Sequence, residues 1–311
     1  MYGPLTDADF VPLSMDRRDE YSALFAASAQ KASDYSFVNI WGWSEERRYE
    51  WAFRDGLCWL RLTNVSPPEY WAPVGNWDRD WSSALEGLFP NGAAFSRVPE
   101  VLADMWRGIQ SVELEEQRSQ WEYLYDRDRL VSLSGNLMHK KKNLLAQFQK
   151  LYDYRYDPIC PARLGDIRAL QAEWLAWRGG DESPGLAAEN TAVARVLDKW
   201  EELDGLLGGC ISVKDEASGE RKIIAYTIAE DLGDGSVVIH FEKGIDSYKG
   251  VYQAINQMFL ANAPQFTTVN REQDMGSEGI RRAKESYHPT GFLKKYQVRF
   301  TGPAGTAGAA N

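Results

Sequence analysis

The sequence predicts a mixed α/β protein of the α+β class, with two domains that each combine a mostly antiparallel sheet with flanking helices. Three observations support this prediction. The chain has 311 residues, which suits two domains of roughly 150 residues better than one. Segments with helical and with strand periodicity follow one another in both halves. Short polar turns join successive strands, as in antiparallel hairpins.

The first domain is predicted over residues 1–155. It opens with a helix at 16–31, whose apolar residues lie on one face. Segments rich in aromatic and β-branched residues then predict strands at 36–43, 48–53 and 57–62. Asp55 and Gly56 form a hairpin-type turn between the last two. The remaining elements are a strand at 70–75, helices at 77–89 and 98–108, an ambiguous strand and turn at 120–133, and a helix at 134–152.

The second domain is predicted over residues 156–300. Pro158 and Pro161 interrupt the pattern and place the boundary near residue 155. The expected order is two helices (164–178, 186–203), three strands (206–213, 222–230, 236–242), a helix (250–262), a strand (266–269), a helix (277–286) and a strand (292–300). The Gly- and Ala-rich tail, 301–311, lacks a core pattern and is predicted to be flexible.

Composition argues against several classes of function. A formal charge of -10 disfavours nonspecific binding to nucleic acid or to an anionic membrane surface. Cys58, Cys160 and Cys210 form no CxxC pair, and with three histidines in the chain no metal site is expected. No apolar run approaches the roughly 18 residues of a membrane span, and the N-terminus lacks a signal-peptide pattern. We therefore expect a cytoplasmic protein without stable membrane insertion.

The first candidate site is a strand that runs into a glycine-containing turn and then a helix. Residues 237–242 form the strand, Gly244 and Gly250 lie in the turn, and the helix follows. Free backbone N–H groups at such a helix start suit a phosphate or a developing oxyanion. An ordinary strand-to-helix turn explains the pattern as well. Glu242 is either a general base at the strand exit or one half of a solvated pair with Lys243.

The second candidate is the basic segment at the start of a predicted helix. Lys140, Lys141 and Lys142 stand between His139 and Asn143. Positive charge near a helix N-terminus opposes the helix dipole, so an anionic group nearby would be favourable. A phosphate-rich ligand would supply that group, and so would the acidic surface of the protein itself.

The third candidate is a polar run at the exit of a probable core strand. Asn270, Arg271, Glu272, Gln273 and Asp274 follow the apolar segment 266–269 directly. Residues 279–300 contain six Lys or Arg and one Glu, a net charge of +5 in an acidic chain, which hints at an anionic ligand.

The helix that follows this run carries further candidates. Arg281 and Lys284 lie in its later half, where favourable helix electrostatics would also explain them. Tyr287 and His288 are candidates for proton transfer, although a lone histidine is often structural.

Three segments together resemble a known family. They are "LSGNLMHKKKNLLAQF", "FEKGIDSYKGVYQAINQMF" and "VNREQDMGSEGIRRAKESYHPTGFLKKYQV". They resemble the bacterial family allied to the C-terminal domain of phosphatidylglycerol lysyltransferase. The resemblance implies two tandem GNAT-like domains related to the Fem-type aminoacyltransferases. It covers most of the chain and is specific in about the last 75 residues.

The resemblance implies transfer of an aminoacyl group from aminoacyl-tRNA, or of an acyl group from acyl-CoA, to an amine or hydroxyl. No bound cofactor is expected beyond such a donor, and the acceptor and the oligomeric state stay open. The GNAT pyrophosphate signature is absent around Tyr248-Lys249-Gly250, which favours aminoacyl-tRNA.

The resemblance suggests residues for the donor site, and the chemistry of the side chains themselves suggests the catalytic candidates. The candidate catalytic residues are Glu242, Glu272, Asp274, Tyr287 and His288. Asn270 and Asp246 would contact substrate. The residues expected to hold the donor and its phosphates are Lys140, Lys141, Lys142, Asn143, Lys249, Gly250, Arg271, Arg281 and Lys284.

Two alternatives to an aminoacyltransferase remain at this point. One is a non-catalytic module whose basic groove binds a phosphorylated ligand or an RNA end. The other is an acyl-CoA N-acetyltransferase, which a channel between two splayed strands of the second sheet would favour.

Overall fold

The computed structural model describes residues 3–179, 183–214 and 219–303. The described residues form eleven α-helices: α1 (Arg18–Ala27), α2 (Phe37–Gly42), α3 (Ser44–Arg47), α4 (Trp81–Leu88), α5 (Glu100–Trp106), α6 (Arg127–Ser132), α7 (His139–Leu151), α8 (Leu164–Trp177), α9 (Pro184–Asp198), α10 (Val251–Asn262) and α11 (Glu278–Glu285). Among them, none is long and apolar enough to cross a bilayer.

The strands in the same residues are β1 (Val11–Pro12), β2 (Tyr49–Arg54), β3 (Leu57–Leu62), β4 (Glu69–Trp71), β5 (Val74–Gly75), β6 (Ala93–Pro99), β7 (Val112–Glu116), β8 (Glu122–Asp126), β9 (Tyr154–Pro158), β10 (Leu206–Lys214), β11 (Arg221–Asp231), β12 (Ser236–Gly244), β13 (Thr268–Asn270), β14 (Gly291–Leu293) and β15 (Lys295–Phe300). They build two sheets, one in each half of the fold.

The chain divides into two compact units that interleave in sequence. Unit 1 takes the described residues up to Glu122, then Gln273–Ser277, then those from Leu293 onward; unit 2 takes Tyr123–Glu272 and Glu278–Phe292. The units therefore differ from the expected ranges 1–155 and 156–300. Residues 123–155 pack in unit 2, and β15 pairs with β6 and β7 in unit 1. Residues 304–311 of the expected tail lie outside the described residues.

The sheet of unit 1 has the order β1-β2-β3-β4-β6-β15-β7, with β5 added beside β3. Its pairing is mostly antiparallel, and β4 and β6 form a parallel pair. The predicted hairpin is present, because β2 and β3 pair antiparallel across Asp55 and Gly56. Large aromatic side chains fill this core; Trp51, Trp59, Trp71 and Trp106 are almost fully buried.

One predicted strand of unit 1 is wrong. Residues 36–43 form helix α2, not a strand. The Ser36 side chain caps the helix by accepting a hydrogen bond from the Asn39 backbone N–H at 3.2 Å. Phe37, Val38 and Ile40 are buried, so core packing and the cap outweigh the strand propensity of these residues.

The sheet of unit 2 has the order β14-β8-β13-β12-β11-β10-β9. It is also mostly antiparallel, apart from the parallel pair of β12 and β13. The predicted strands β10, β11 and β12 form its centre, and the ambiguous segment 120–133 resolves into β8 followed by α6. The core on one face of this sheet lies under α10, with Val251, Ala254 and Ile255 packed against Val237 and Ile239 of β12.

Candidate active site

The centre of the unit 2 sheet contains a gap between two neighbouring strands. The parallel pairing of β12 with β13 ends at Val238 and Asn270, yet β12 continues to Gly244. Beyond that point β12 has no β13 residue beside it. We call this opening the strand gap. Arg271 and Glu272, which follow β13 directly, reach across it with their side chains.

A β-bulge directs Glu242 toward the α10 face of the sheet. Ile228 pairs with Phe241 and Ala229 with Ile239, so His240 is the extra residue of the bulge. The extra residue interrupts the alternation of side chains between the two faces of β12. Glu242 therefore lies on the same face of the sheet as Ile239. Here Glu242 forms an ion pair with Arg271.

Two protein groups hold the Glu242 carboxylate at the strand gap. Arg271 Nη2 lies 2.8 Å from Glu242 Oε1, and Asn256 Nδ2 of α10 donates to Glu242 Oε2 at 3.2 Å. The side chains of Glu242 and Arg271 are 9% and 15% exposed. The pair is thus mostly desolvated and keeps a small exposed fraction, and burial of this degree strengthens its field on a nearby group.

Tyr287 places a protonated hydroxyl beside this pair. Its ring is buried and packs 5.1 Å from the Arg271 guanidinium carbon. Gln253 Nε2 donates to the Tyr287 hydroxyl at 3.3 Å. Burial raises the pKa of Tyr287, and the nearby Arg271 opposes that effect without cancelling it. The hydroxyl therefore stays protonated at neutral pH and is suited to donate a hydrogen bond or a proton.

Lys141 turns inward from α7 and completes what we call the Glu242 cluster: Glu242, Arg271, Tyr287, Asn256, Gln253 and Lys141. Its Nζ lies 4.2 Å from the Tyr287 ring centroid. Burial, together with the positive charge of Arg271, lowers the pKa of Lys141. The neighbours Lys140, Lys142 and Asn143 are exposed on α7.

His240 bridges two carboxylates beside the strand gap. Its Nδ1 lies 2.9 Å from Glu272 Oε1, and its Nε2 lies 2.8 Å from Glu230 Oε2. Burial alone would lower the pKa of His240, but the bonds with Glu230 and Glu272 outweigh it and raise the pKa to about 9. Sequence reasoning did not find this cluster, because a histidine inside an apolar strand carries no signal of its own.

Asn270 and Lys284 support the backbone that carries Arg271 and Glu272. The buried Asn270 side chain accepts a hydrogen bond from the Glu272 backbone N–H at 2.8 Å, which suits the positive φ of 56° at Glu272. Lys284 Nζ donates to the carbonyl oxygens of Arg271 and Glu272 at 2.6 and 3.0 Å. The contacts described here support the loop, and the expected contacts of both residues with a ligand stay a prediction.

The turn before α10 differs from the expected anion site. The Lys249 backbone N–H donates to the Tyr152 hydroxyl at 3.0 Å, and the Val251 N–H donates to the Tyr248 carbonyl. These two N–H groups are therefore occupied. Gly250 has a φ of 82°, and a Cβ there would lie 2.3 Å from the Leu144 carbonyl oxygen. Close packing against α7 thus explains why a glycine stands here, and a bound phosphate is not needed to explain it.

The other predicted residues take separate positions. Asp246 and the Lys249 side chain are exposed, and Arg281 is half-buried on α11. His288, three residues after the end of α11, has a φ of 53°. Asp274 belongs to unit 1, where it is buried, accepts from the Gly276 N–H at 2.8 Å and pairs with Arg118 at 3.2 Å. The polar run 270–274 thus serves both units.

Unit 1 has a buried charge cluster of its own, formed by Asp34, Arg97, Glu122 and Lys295. Asp34 pairs with both Arg97 and Lys295, and Lys295 Nζ lies 2.6 Å from Glu122 Oε1. Burial would raise the pKa of Asp34, but the two cations outweigh it and lower the pKa to about 2. We call this group the Asp34 cluster. Its members are distant in sequence, so no local pattern predicted it.

Comparison with solved structures supports the fold. A crystal structure of a conserved protein of unknown function from Bacteroides thetaiotaomicron is 30% identical, with a TM-score of 0.84, and the match covers 94% of this chain and 99% of that chain. The C-terminal domain of a putative lysylphosphatidylglycerol synthetase from Agrobacterium fabrum is 12% identical, with a TM-score of 0.62 and 93% of each chain covered. FemX is 8% identical, with a TM-score of 0.58 and coverage of 93% and 96%.

The last two likenesses concern the fold alone. Together with the two mostly antiparallel sheets, they confirm the predicted α+β class and the tandem GNAT-like fold of Fem-type proteins. Among curated sequences, an uncharacterized protein of Mycoplasmoides gallisepticum is 26% identical over 203 residues. That match covers 61% of this chain and 63% of the relative.

The family described as phosphatidylglycerol lysyltransferase, C-terminal, matches residues 25–299. This range includes β12, β13 and every member of the Glu242 cluster. With most of its length matched and the acyltransferase-like fold in place, the chain belongs to the phosphatidylglycerol lysyltransferase C-terminal family.

Proposed function

We propose that the protein is a cytoplasmic aminoacyltransferase, which moves an aminoacyl group from aminoacyl-tRNA to an amine or hydroxyl acceptor. Family membership supports the reaction class. The Glu242 carboxylate in the strand gap supports aminoacyl-tRNA as the donor. The Glu242 carboxylate has lone pairs beyond those that Arg271 and Asn256 use, and these can accept a hydrogen bond from an ammonium group. An aminoacyl group carries an ammonium, whereas the acetyl group of acetyl-CoA is neutral.

The transfer proceeds by direct attack on the donor ester, without a covalent enzyme intermediate. The acceptor nitrogen or oxygen forms a bond to the ester carbonyl carbon, and the bond from that carbon to the ribose oxygen breaks. The Tyr287 hydroxyl gives its proton to the leaving ribose oxygen and regains one from the attacking group, so protons balance. Lys141 and Arg271 flank Tyr287 and stabilise negative charge on the carbonyl oxygen.

This scheme gives Glu242 a positioning and charge-balancing role. Its two oxygens already accept from Arg271 and Asn256, and Glu272 already contacts His240. The assignment of Glu242, Glu272 or Asp274 as the proton acceptor in place of Tyr287 stays a separate prediction. Unchanged turnover in Glu242→Gln, Glu272→Gln and Asp274→Asn alike would exclude a carboxylate base.

The exposed cations of α7 suit the phosphates of the donor. Lys140 and Lys142 carry their charges into solvent next to the inward-facing Lys141. Contacts of this kind position a nucleic acid without reading its sequence, and they weaken as salt rises. We therefore expect donor binding to depend on ionic strength although the whole chain is acidic.

The test uses the full chain and three donors: a mixture of charged tRNAs, uncharged tRNA, and acetyl-CoA. Group transfer to phosphatidylglycerol vesicles, a peptide amine and hydroxylamine is followed by mass spectrometry. Transfer from charged tRNA to any of these acceptors is the expected result. Transfer from acetyl-CoA alone would overturn the donor assignment, and tRNA binding without transfer would favour the non-catalytic module.

A further inference from the structure

Thr227, at the centre of β11, has a buried hydroxyl that the fold itself does not use. The residue is 0% exposed, and its Oγ1 has no hydrogen-bond partner among the described residues. Buried hydroxyl groups normally have a partner, because leaving one without a hydrogen bond costs stability. Valine would fill nearly the same volume without that cost, so the hydroxyl calls for another explanation.

The Thr227 side chain points to the same face of the sheet as Glu242. Its neighbour Tyr226 donates to Gln171 of α8 at 2.6 Å, and successive side chains on a strand alternate between faces. Thr227 therefore faces α10, as do Ala225 and Ala229, which belong to that core.

The strand register then makes Thr227 and Glu242 direct neighbours. Thr227 pairs with Glu242 on β12 and with Gly209 on β10. Side chains at paired positions have Cβ atoms about 4.5–5.5 Å apart. The Thr227 hydroxyl and the Glu242 carboxylate are thus close enough to bind one small group together.

The groups around Thr227 suit a cation. The Glu242 carboxylate has about four lone-pair sites, and Arg271 and Asn256 take one oxygen each. On the other side, the Tyr156 hydroxyl and ring lie over Gly209, where a Cβ would be 2.3 Å from that hydroxyl oxygen. A carboxylate, a hydroxyl oxygen and a tyrosine are the partners that an ammonium group takes in proteins.

We propose that Thr227 and Glu242 form a subsite for the primary ammonium group of the transferred aminoacyl residue. This inference rests on the proposed function and names the part of the donor that the strand gap recognises. The ammonium has three N–H donors, and the Thr227 hydroxyl accepts one that Glu242 does not. A neutral acyl group leaves the hydroxyl without a partner, so the subsite selects aminoacyl over plain acyl donors.

The test measures binding of small probes and needs no transfer. L-alanine amide carries the ammonium, and propionamide is its neutral counterpart; their affinities for the full chain are measured by ligand-observed NMR. We expect alanine amide to bind at least about tenfold more tightly than propionamide, a difference typical of one buried polar contact. Thr227→Val should remove most of that preference, and Thr227→Ser, which keeps a hydroxyl, should retain it.

The melting temperatures of the same variants show whether the Thr227 hydroxyl stabilises the fold. Because Oγ1 has no hydrogen-bond partner among the described residues, Thr227→Val should melt at or above the wild-type temperature. Thr191→Val is the matched control, since the Thr191 hydroxyl donates to the Ala187 carbonyl of α9. It should leave the binding of both amides unchanged.

Two results would overturn the subsite: a clearly lowered melting temperature for Thr227→Val, or an unchanged preference for alanine amide in that variant. The outcome is separable from that of the transfer assay. Thr227-dependent amide binding without transfer would support the subsite and contradict the enzyme. Transfer by the wild type, together with an unchanged preference for alanine amide in Thr227→Val, would support the enzyme and contradict the subsite.

Discussion

Each unit contains a buried cluster of opposite charges, and the two clusters differ in what surrounds them. In the Asp34 cluster, Lys295 and Glu122 are 0% exposed and Asp34 is 1% exposed. Its two cations and two carboxylates neutralise one another. In the Glu242 cluster, Arg271 is 15% exposed and Lys141 is half-buried, and the strand gap separates the backbones that carry Glu242 and Arg271.

The difference separates a structural from a functional use of buried charge. A closed, balanced cluster stabilises one arrangement of its segments, and a change there should affect folding. A cluster that is not fully buried can take a ligand, and here a hydroxyl without a hydrogen-bond partner among the described residues lies beside it. A change there should affect turnover. The predictions below test this distinction, from the largest expected effect to the smallest.

Lys295→Met should lower the free energy of unfolding by about 3–5 kcal/mol, because it leaves Asp34 and Glu122 buried with one cation fewer. Urea unfolding of the full chain measures this effect. Lys199→Met is the matched control, since Lys199 and Glu202 form an ion pair that is 36% and 54% exposed. The control should change stability by no more than about 0.5 kcal/mol. Equal effects of both variants would contradict a structural role for the Asp34 cluster.

Stability should fall as pH rises from about 6.5 to about 9, because His240 has a raised pKa in the folded state. A raised pKa means that protonation of His240 stabilises the fold. This contribution to stability is fully present below pH 6.5, the pKa in the unfolded chain, and is lost as the pH rises through about 9, the pKa in the folded protein. The shift corresponds to roughly 3 kcal/mol. His240→Gln should be less stable at pH 6 and should lack this slope. A slope that persists in His240→Gln would assign it to other groups.

Tyr287→Phe should lower the transfer rate by about 100-fold, the usual contribution of one proton donor. Stability should change little, because the ring and its contacts with Arg271 and Lys141 remain. Tyr296→Phe in unit 1 is the control for removal of a tyrosine hydroxyl, here one that contacts Glu116 at 3.4 Å. A Tyr287→Phe variant with wild-type turnover would exclude the proton shuttle.

Lys141→Met should lower the transfer rate by about tenfold, because Lys141 faces Tyr287 while its neighbours face solvent. Lys142→Met should instead weaken donor binding modestly and reduce its salt dependence by about one unit of the logarithmic slope. Single-turnover rates and binding titrations at several salt concentrations separate the two effects. Identical profiles for the two variants would mean that the inward position of Lys141 has no catalytic consequence.

Local patterns predicted much of the fold. The hairpin of β2 and β3, helices α7, α8 and α10, and the succession β10, β11, β12 all have strong periodicity and clear turns. Residues 36–43 were assigned wrongly, because a serine cap and burial outweighed strand-like composition. The return of β15 to unit 1 depends on pairing between segments about two hundred residues apart, for which a single sequence has no local signal.

The candidate site was also predictable only in part, because local patterns reveal some of its residues and long-range pairing brings in the others. Glu242, Arg271, Tyr287 and Lys141 were candidates from local charge and family likeness, and the structure brings these four together. Asp34 and Lys295 are 261 positions apart, and Thr227 looks like any threonine in a strand. Long-range pairing and an unused hydroxyl become visible once strand register is known.

The transfer rate of Glu242→Gln, measured beside its free energy of unfolding, tests the functional use of the Glu242 cluster most directly. The substitution keeps the shape of the side chain and removes its charge, so the arrangement of the strand gap should survive. We predict a rate at least about 100-fold below wild type with a stability loss of under about 2 kcal/mol. A rate within about threefold of wild type in a folded variant would contradict the account.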